Sequence, residues 1–212
     1  MLLTAAATAV MVVARVSSDT DQATIAESLR SVAENRELFG ITALARMASG
    51  VTLLVAGWYM LKAGASNGHG ANSAAAYLFM VSGGLTVVSG AAATVIALHP
   101  SLDSGVEAPA TAEAAYHVRW VMGKAGFSVA GSALVFASFA QWSSGSIVRY
   151  VALVSAVLGF AMQFIWWDAA TVVHRAVGML FLVWLVVVGA AFIRRALDAR
   201  ASNHGDATAG SG

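Results

Sequence analysis

Long apolar blocks alternate with short polar stretches along most of this chain, and block length sets the first expectation. A helix crossing a hydrocarbon core about 30 Å thick needs roughly 20 mostly apolar residues at about 1.5 Å rise each. Five blocks meet that length: Ile41–Leu61, interrupted by Arg46; Ala75–Leu98, with no charge; Trp120–Trp142, with Lys124 one turn inside; Ile147–Trp167, with Arg149 at its edge; and Val172–Ile193, opening on His174 and Arg175. A sixth block, MLLTAAATAVMVVARV over Met1–Val16, is short for a span. No Lys or Arg precedes Arg15, unlike the basic opening of a signal peptide. It reads as a short or tilted first span, or as one whose start lies upstream. The pattern predicts an all-α, polytopic transmembrane helix bundle of about six spans (1–16, 41–61, 75–98, 120–142, 147–167, 172–193). These form one domain over 1–196, followed by a low-complexity, disordered tail over 197–212.

The polar stretches are short. DTDQATIAESLRSVAENRELFG, between the first two spans, places Ile25, Leu29, Val32 and Phe39 near helical spacing, with Glu27, Arg30, Glu34 and Glu37 largely on other faces. Asp19 and Gln22 have the spacing of a capping box. The expectation is a short amphipathic helix lying along the surface or covering the bundle mouth. Its five acids against two arginines exclude a polybasic lipid anchor. Lys62–Ala74 is rich in Gly, Asn and Ser, His99–Tyr116 holds both prolines, and SSGS at 143–146 is a tight turn. No connection is long enough for a soluble catalytic domain, so any function must lie in the bundle or at its rim.

Composition sharpens this reading. The chain is 58% hydrophobic and 11% charged, with a mean hydropathy of +0.74, whereas soluble domains carry about 25% charged residues. The net charge of +1 supplies no basic field for nucleic acid. The lack of cysteine excludes disulfides, thiolate metal sites and thiol nucleophiles within the chain.

Arg194, Arg195 and Arg200 crowd the C-terminal end and place it in the cytoplasm of a multi-pass cell-membrane protein. A second argument is independent of that sign. The first, third and fifth connections must share one membrane face, and Arg46, His99, His117, Arg119, Lys124, Gln163, Asp168, His174 and Arg175 all lie toward it. The polarity inside the bundle is therefore lopsided, and a site would open on that face, the outer one in this topology.

The candidate ligand or ion-pair cluster is Arg46, His117, Lys124, Gln163, Asp168, His174 and Arg175. Each has a functional and a structural account. Arg46, about two turns into its span, is the deepest charge and needs either a ligand or an ion pair with Glu37 or Asp168. His117 and Lys124 are seven apart, hence on one helix face, where an anion or carbonyl would bind; snorkelling beside Trp120 is the structural alternative. In QFIWWDAATVVHRAVG, Asp168 can cap the following helix, Arg175 can pair with it, and Gln163 needs a partner from a helix or a ligand. His99, His117 and His174 share a face, but each sits at a helix end rather than at the mid-span depth of haem ligands, so no cofactor is expected.

Ser82, Thr86, Gly90 and Thr94 recur every four residues, and Ser155 and Gly159 repeat the spacing; small residues there let helices approach closely. No H-E-x-x-H, G-x-S-x-G, phosphate-binding Gly loop or pair of intramembrane carboxylates is present in the sequence. A catalytic centre is therefore not expected.

One resemblance adds to this reading. ATIAESLRSVAENRELFGITALARMASGVTLLVAGWYMLK, then FASFAQWSSGSIVRYVALVSAVLGFAMQFIWW and HRAVGMLFLVWLVVVGAAF, resemble the bacterial six-span membrane proteins grouped as domain of unknown function four-three-eight-six. The likeness extends over roughly Met1 to Arg195 and rests on span spacing, the polar helix and the short turn before the fifth span. It implies a bacterial inner-membrane bundle and carries no activity or site residues. The functional expectation is a non-enzymatic accessory or interaction subunit, partnered by the bilayer and by another membrane protein or a second copy. The alternatives are a carrier or binder of a small anionic or lipid-like molecule on the polar face, and a membrane enzyme or haem protein.

Overall fold

The computed structural model describes residues 1–18, 22, 24–65, 70–99, 110–142, 146–167, 176–191, 193, 194 and 197. All its elements are helical: α1 (Leu2–Ser18), α2 (Ile25–Glu34), α3 (Arg36–Ala65), α4 (Gly70–Ala97), α5 (Ala110–Trp142), α6 (Ser146–Ala161) and a 3-10 turn (Met162–Trp166), then α7 (Ala176–Ala191). Four helical stretches, Arg36–Lys62, Ser73–Ala97, Ala110–Phe139 and Arg149–Trp166, are long and apolar enough to cross a membrane, and α1 and α7 are shorter apolar helices. The chain is thus an all-α helical bundle of a membrane protein. A closed helix satisfies its own backbone polar groups, which is what lipid requires.

Three boundaries differ from the hydropathy reading. Helix α3 begins at Arg36, one residue after α2 ends on its Asn35 cap, because RELFG carries no helix breaker strong enough to delay it. Helix α5 begins at Ala110, since the alanine-rich ATAEAAYHVR favours helix well outside the apolar block. The fifth predicted span, 147–167, changes to 3-10 winding at Met162. The N-terminal capping box of α2 is also displaced from the expected Asp19–Gln22. Thr24, extended at φ −119 and ψ 157, accepts from the Glu27 backbone N–H at 3.2 Å, while the Glu27 carboxylate accepts from the Thr24 N–H at 3.1 Å. Thr-x-x-Glu has the hydroxyl that seats this reciprocal pair.

The centre of the bundle is the antiparallel pair α3 and α4, which approach at backbone contact. A Cβ on Gly83 would stand 2.6 Å from the Gly50 carbonyl oxygen and 2.7 Å from the Leu54 nitrogen; one on Gly50 would meet the Gly83 oxygen at 2.7 Å. Gly57 faces Ala76 and Met80, and Gly90 faces Met47 and Ala43. The glycines recur seven apart on each helix, the period that keeps one seam facing a neighbour in a left-handed pair. Helix α5 packs on the other side of α4, α1 on α3, and α6 on α5. Helix α7 closes the bundle: Trp184 stacks 6.2 Å from Phe79 and 6.2 Å from Phe181, and its indole donates to Ser155 Oγ at 2.9 Å.

Two apolar clusters result. The larger joins Leu53, Phe79, Leu134, Met162, Trp184 and Leu185 from five elements. The smaller lies at the end where α3 begins and α4 finishes, and seats Leu29 and Val32 of α2 on Phe39, Ala43, Ile96 and Ala112. Helix α2 therefore covers the bundle mouth.

Candidate functional site

Between the two apolar clusters, at intermediate positions along α3, α4 and α5, lies a layer of buried polar groups. Arg46 from α3 is 9% exposed, Ser89 from α4 is 0%, and Arg119 and Lys124 from α5 are 4% and 9%. Arg46 Nη1 donates to Ser89 Oγ at 2.8 Å, and that hydroxyl donates to the Arg119 carbonyl oxygen at 2.6 Å. One serine thus ties three helices. Gly123 makes room for it: a Cβ there would stand 3.1 Å from Ser89 Oγ and 3.6 Å from Arg46 Nη1.

The cations are wrapped in aromatic rings. The Arg119 guanidinium carbon is 5.1 Å from the Phe39 ring centre and 5.3 Å from that of Tyr116. Lys124 Nζ is 3.3 Å from the Trp120 ring centre and 5.8 Å from that of Trp166. Such faces attract a cation electrostatically and offset part of the cost of taking it out of water. The chemistry of the layer is that of donors: guanidinium, ammonium and hydroxyl. These recognise phosphate or carboxylate oxygens and disfavour a metal ion.

The predicted residues divide. Arg46 and Lys124 belong to this layer. His117 does not: its side chain is exposed and meets only the edge of Tyr116 at 6.4 Å. The expected shared face of His117 and Lys124 is therefore split, because Lys124 folds onto Trp120 and inward. Gln163 is occupied by helices. Its Nε2 donates to the Ser128 carbonyl at 2.9 Å and the Gly159 carbonyl at 3.2 Å, and its Oε1 accepts from the Ser128 hydroxyl. It pins the 3-10 turn to α5, beside Gly131, whose added Cβ would stand 2.7 Å from that amide nitrogen. Asp168, His174 and Arg175 lie outside the described residues. So does all of the tail over 197–212 except Leu197. His99 closes the α4 end, with Nε2 2.9 Å from Thr111 Oγ1 and its carbonyl accepting from Arg36 at 3.0 Å.

The four-residue stripe on α4 also divides. Ser82 donates to the Gly126 carbonyl of α5 at 2.7 Å, and Thr86 lies against Gly126, whereas Gly90 and Thr94 face Met47 of α3. Each residue turns about 100°, so twelve residues at four-residue steps drift by about 120°. Ser155 packs toward α7 through Trp184, and Gly159 against Gly131 of α5.

Sequence reasoning passed over Ser89 and Gly123 and placed Arg119 only on the polar face. The available signal was Ser82 to Ser89, seven apart, which stays on one face where a four-residue repeat does not. No family model, no curated protein and no solved structure matches this chain.

Proposed function

We propose that this membrane protein is a non-catalytic bundle that binds an anionic small molecule, or the acidic headgroup of a lipid, in its cationic layer. What carries the reading is the burial of three cations, Arg46, Arg119 and Lys124, each nine-tenths or more, toward one end of the bundle, with Arg46 held by the Ser89 hydroxyl and the other two by aromatic faces. Buried intramembrane cations mark ligand or ion sites by default, because an ordinary packing role does not require charge. An accessory role beside another membrane protein fits the same reading, with the bound anion as the shared element.

The test is native mass spectrometry of protein released from mild detergent. Added mass on the wild-type chain, lost in Arg46→Ala and in Lys124→Met, supports binding, and the mass itself separates a lipid from a free anion. Bare chain mass across all three proteins sinks the reading.

A further inference from the structure

We infer that α2 is a movable lid, and that its lifting opens the cationic layer to the aqueous phase on that side of the membrane. What the lid admits rests on the binding reading above; its movement does not.

Several observations converge. Helix α2 is a self-contained unit, with its own capping box at Thr24 and Glu27 and a break at Asn35, whose backbone leaves helical geometry at φ −119 and ψ 34. Beneath it, α3, α4 and α5 are joined by glycine contacts and by hydroxyl-to-carbonyl bonds across their interfaces. Helix α2, IAESLRSVAE, has no glycine through which to make such a contact. It seats Leu29 and Val32 fully, and Ile25 in part, on the smaller cluster. The Tyr116 hydroxyl of α5 donates to Ser28 Oγ at 3.3 Å, a long hydrogen bond. The outer face of α2 carries Glu27, Arg30 and Glu34, all exposed, so that face is stable in water whether the helix is seated or lifted.

What the seated helix covers is also specific. Phe39 touches both the lid cluster and the Arg119 guanidinium, and Tyr116 holds the lid with its hydroxyl and Arg119 with its ring. The residues under α2 are thus those that wrap the nearest cation, and lifting it uncovers Arg119 first. Segments with few buried contacts open locally while the rest of a fold stays intact.

The chain has no cysteine, so single introduced thiols report opening directly. Val32, on the underside of α2, and Ser155, in the bundle interior, are both 0% exposed. Val32→Cys and Ser155→Cys would each be reacted with a water-soluble maleimide, in neutral phosphatidylcholine vesicles, with and without inorganic phosphate. The lid requires Val32→Cys to react on the order of tenfold faster than Ser155→Cys, and faster again when Tyr116→Phe removes the latch. Equal rates within about twofold, under conditions where denaturant exposes both thiols, would overturn it. Slowing of Val32→Cys by phosphate supports the anion beneath the lid. Fast reaction that phosphate does not slow, and that vesicles containing an acidic lipid do not slow either, leaves the lid standing and removes the binding reading.

Discussion

At the scale of single residues, the bundle separates positions that look alike in sequence. Gly83 and Gly84 are neighbours, yet a Cβ on Gly83 would stand 2.6 Å from a carbonyl oxygen, while one on Gly84 meets nothing within 4 Å. Gly83→Ala is expected to destabilise by about 1–3 kcal/mol, because backbone rather than a flexible side-chain end must move. Gly84→Ala is expected to stabilise by up to about 1 kcal/mol through helix propensity. Denaturation midpoints in detergent check the pair, and equal signs would contradict the close α3–α4 contact. Ser89 permits a similar comparison. Ser89→Ala removes the acceptor for Arg46 and the donor to Arg119, and should cost about 1–2 kcal/mol, the upper part of the range for hydrogen bonds between membrane helices. Thr52 donates only within its own helix, to Ala48 and Ser49, so Thr52→Ala should stay within about 0.5 kcal/mol of wild type. If the two variants melt together, the serine link between the three helices is not a stabilising one.

At the scale of elements, α2 and the 3-10 turn are held in contrasting ways. Gln163 fastens the turn by three hydrogen bonds to α5 and α6, while α2 is seated chiefly by an apolar underside of Leu29, Val32 and, in part, Ile25. Full burial of Leu29 and Val32 contributes about 3–6 kcal/mol together, and Leu29→Ala in a packed site removes about 2–5 kcal/mol. That loss is comparable to the contribution of the two buried side chains together. Leu29→Ala should therefore undock α2 and speed tryptic cleavage after Arg30 several-fold, while Ala26→Ser, on the exposed face, should leave it unchanged. Cleavage at wild-type rate in Leu29→Ala would mean that α2 is held by contacts other than its apolar underside.

At the scale of the whole molecule, the buried charge is concentrated toward one end, where α3 and α5 begin, and the opposite half is filled by the aromatic cluster around Trp184. The arginines near the C-terminus predict that the cationic end faces outward. Exposed positions on the two ends test this: Glu113→Cys should react with an impermeant thiol reagent in intact cells, and Lys62→Cys only after permeabilisation. The reverse pattern would turn the cationic layer toward the cytoplasm and make its ligand an intracellular one.

The helical bundle and the amphipathic α2 were legible in the sequence, because an apolar block of membrane length and a 3.6-residue alternation are local properties. The lopsided placement of Arg46, Arg119 and Lys124 was legible for the same reason: spans alternate in direction, so depth follows from position in the chain. Which neighbour each helix face meets was decided only by packing. The stripe from Ser82 to Thr94 is one row on paper and two faces in the fold, since the helical period turns it from α5 toward α3. Gln163 read as an amide in need of a partner, and the partner was set by Gly131 and Gly159, whose missing side chains let α5 and α6 close around it. The convergence of Arg46, Ser89 and the Arg119 carbonyl joins residues on three helices, and no local rule connects them. It exists because glycines at 50, 83, 90 and 123 let the backbones come near enough for one hydroxyl to reach two neighbouring helices.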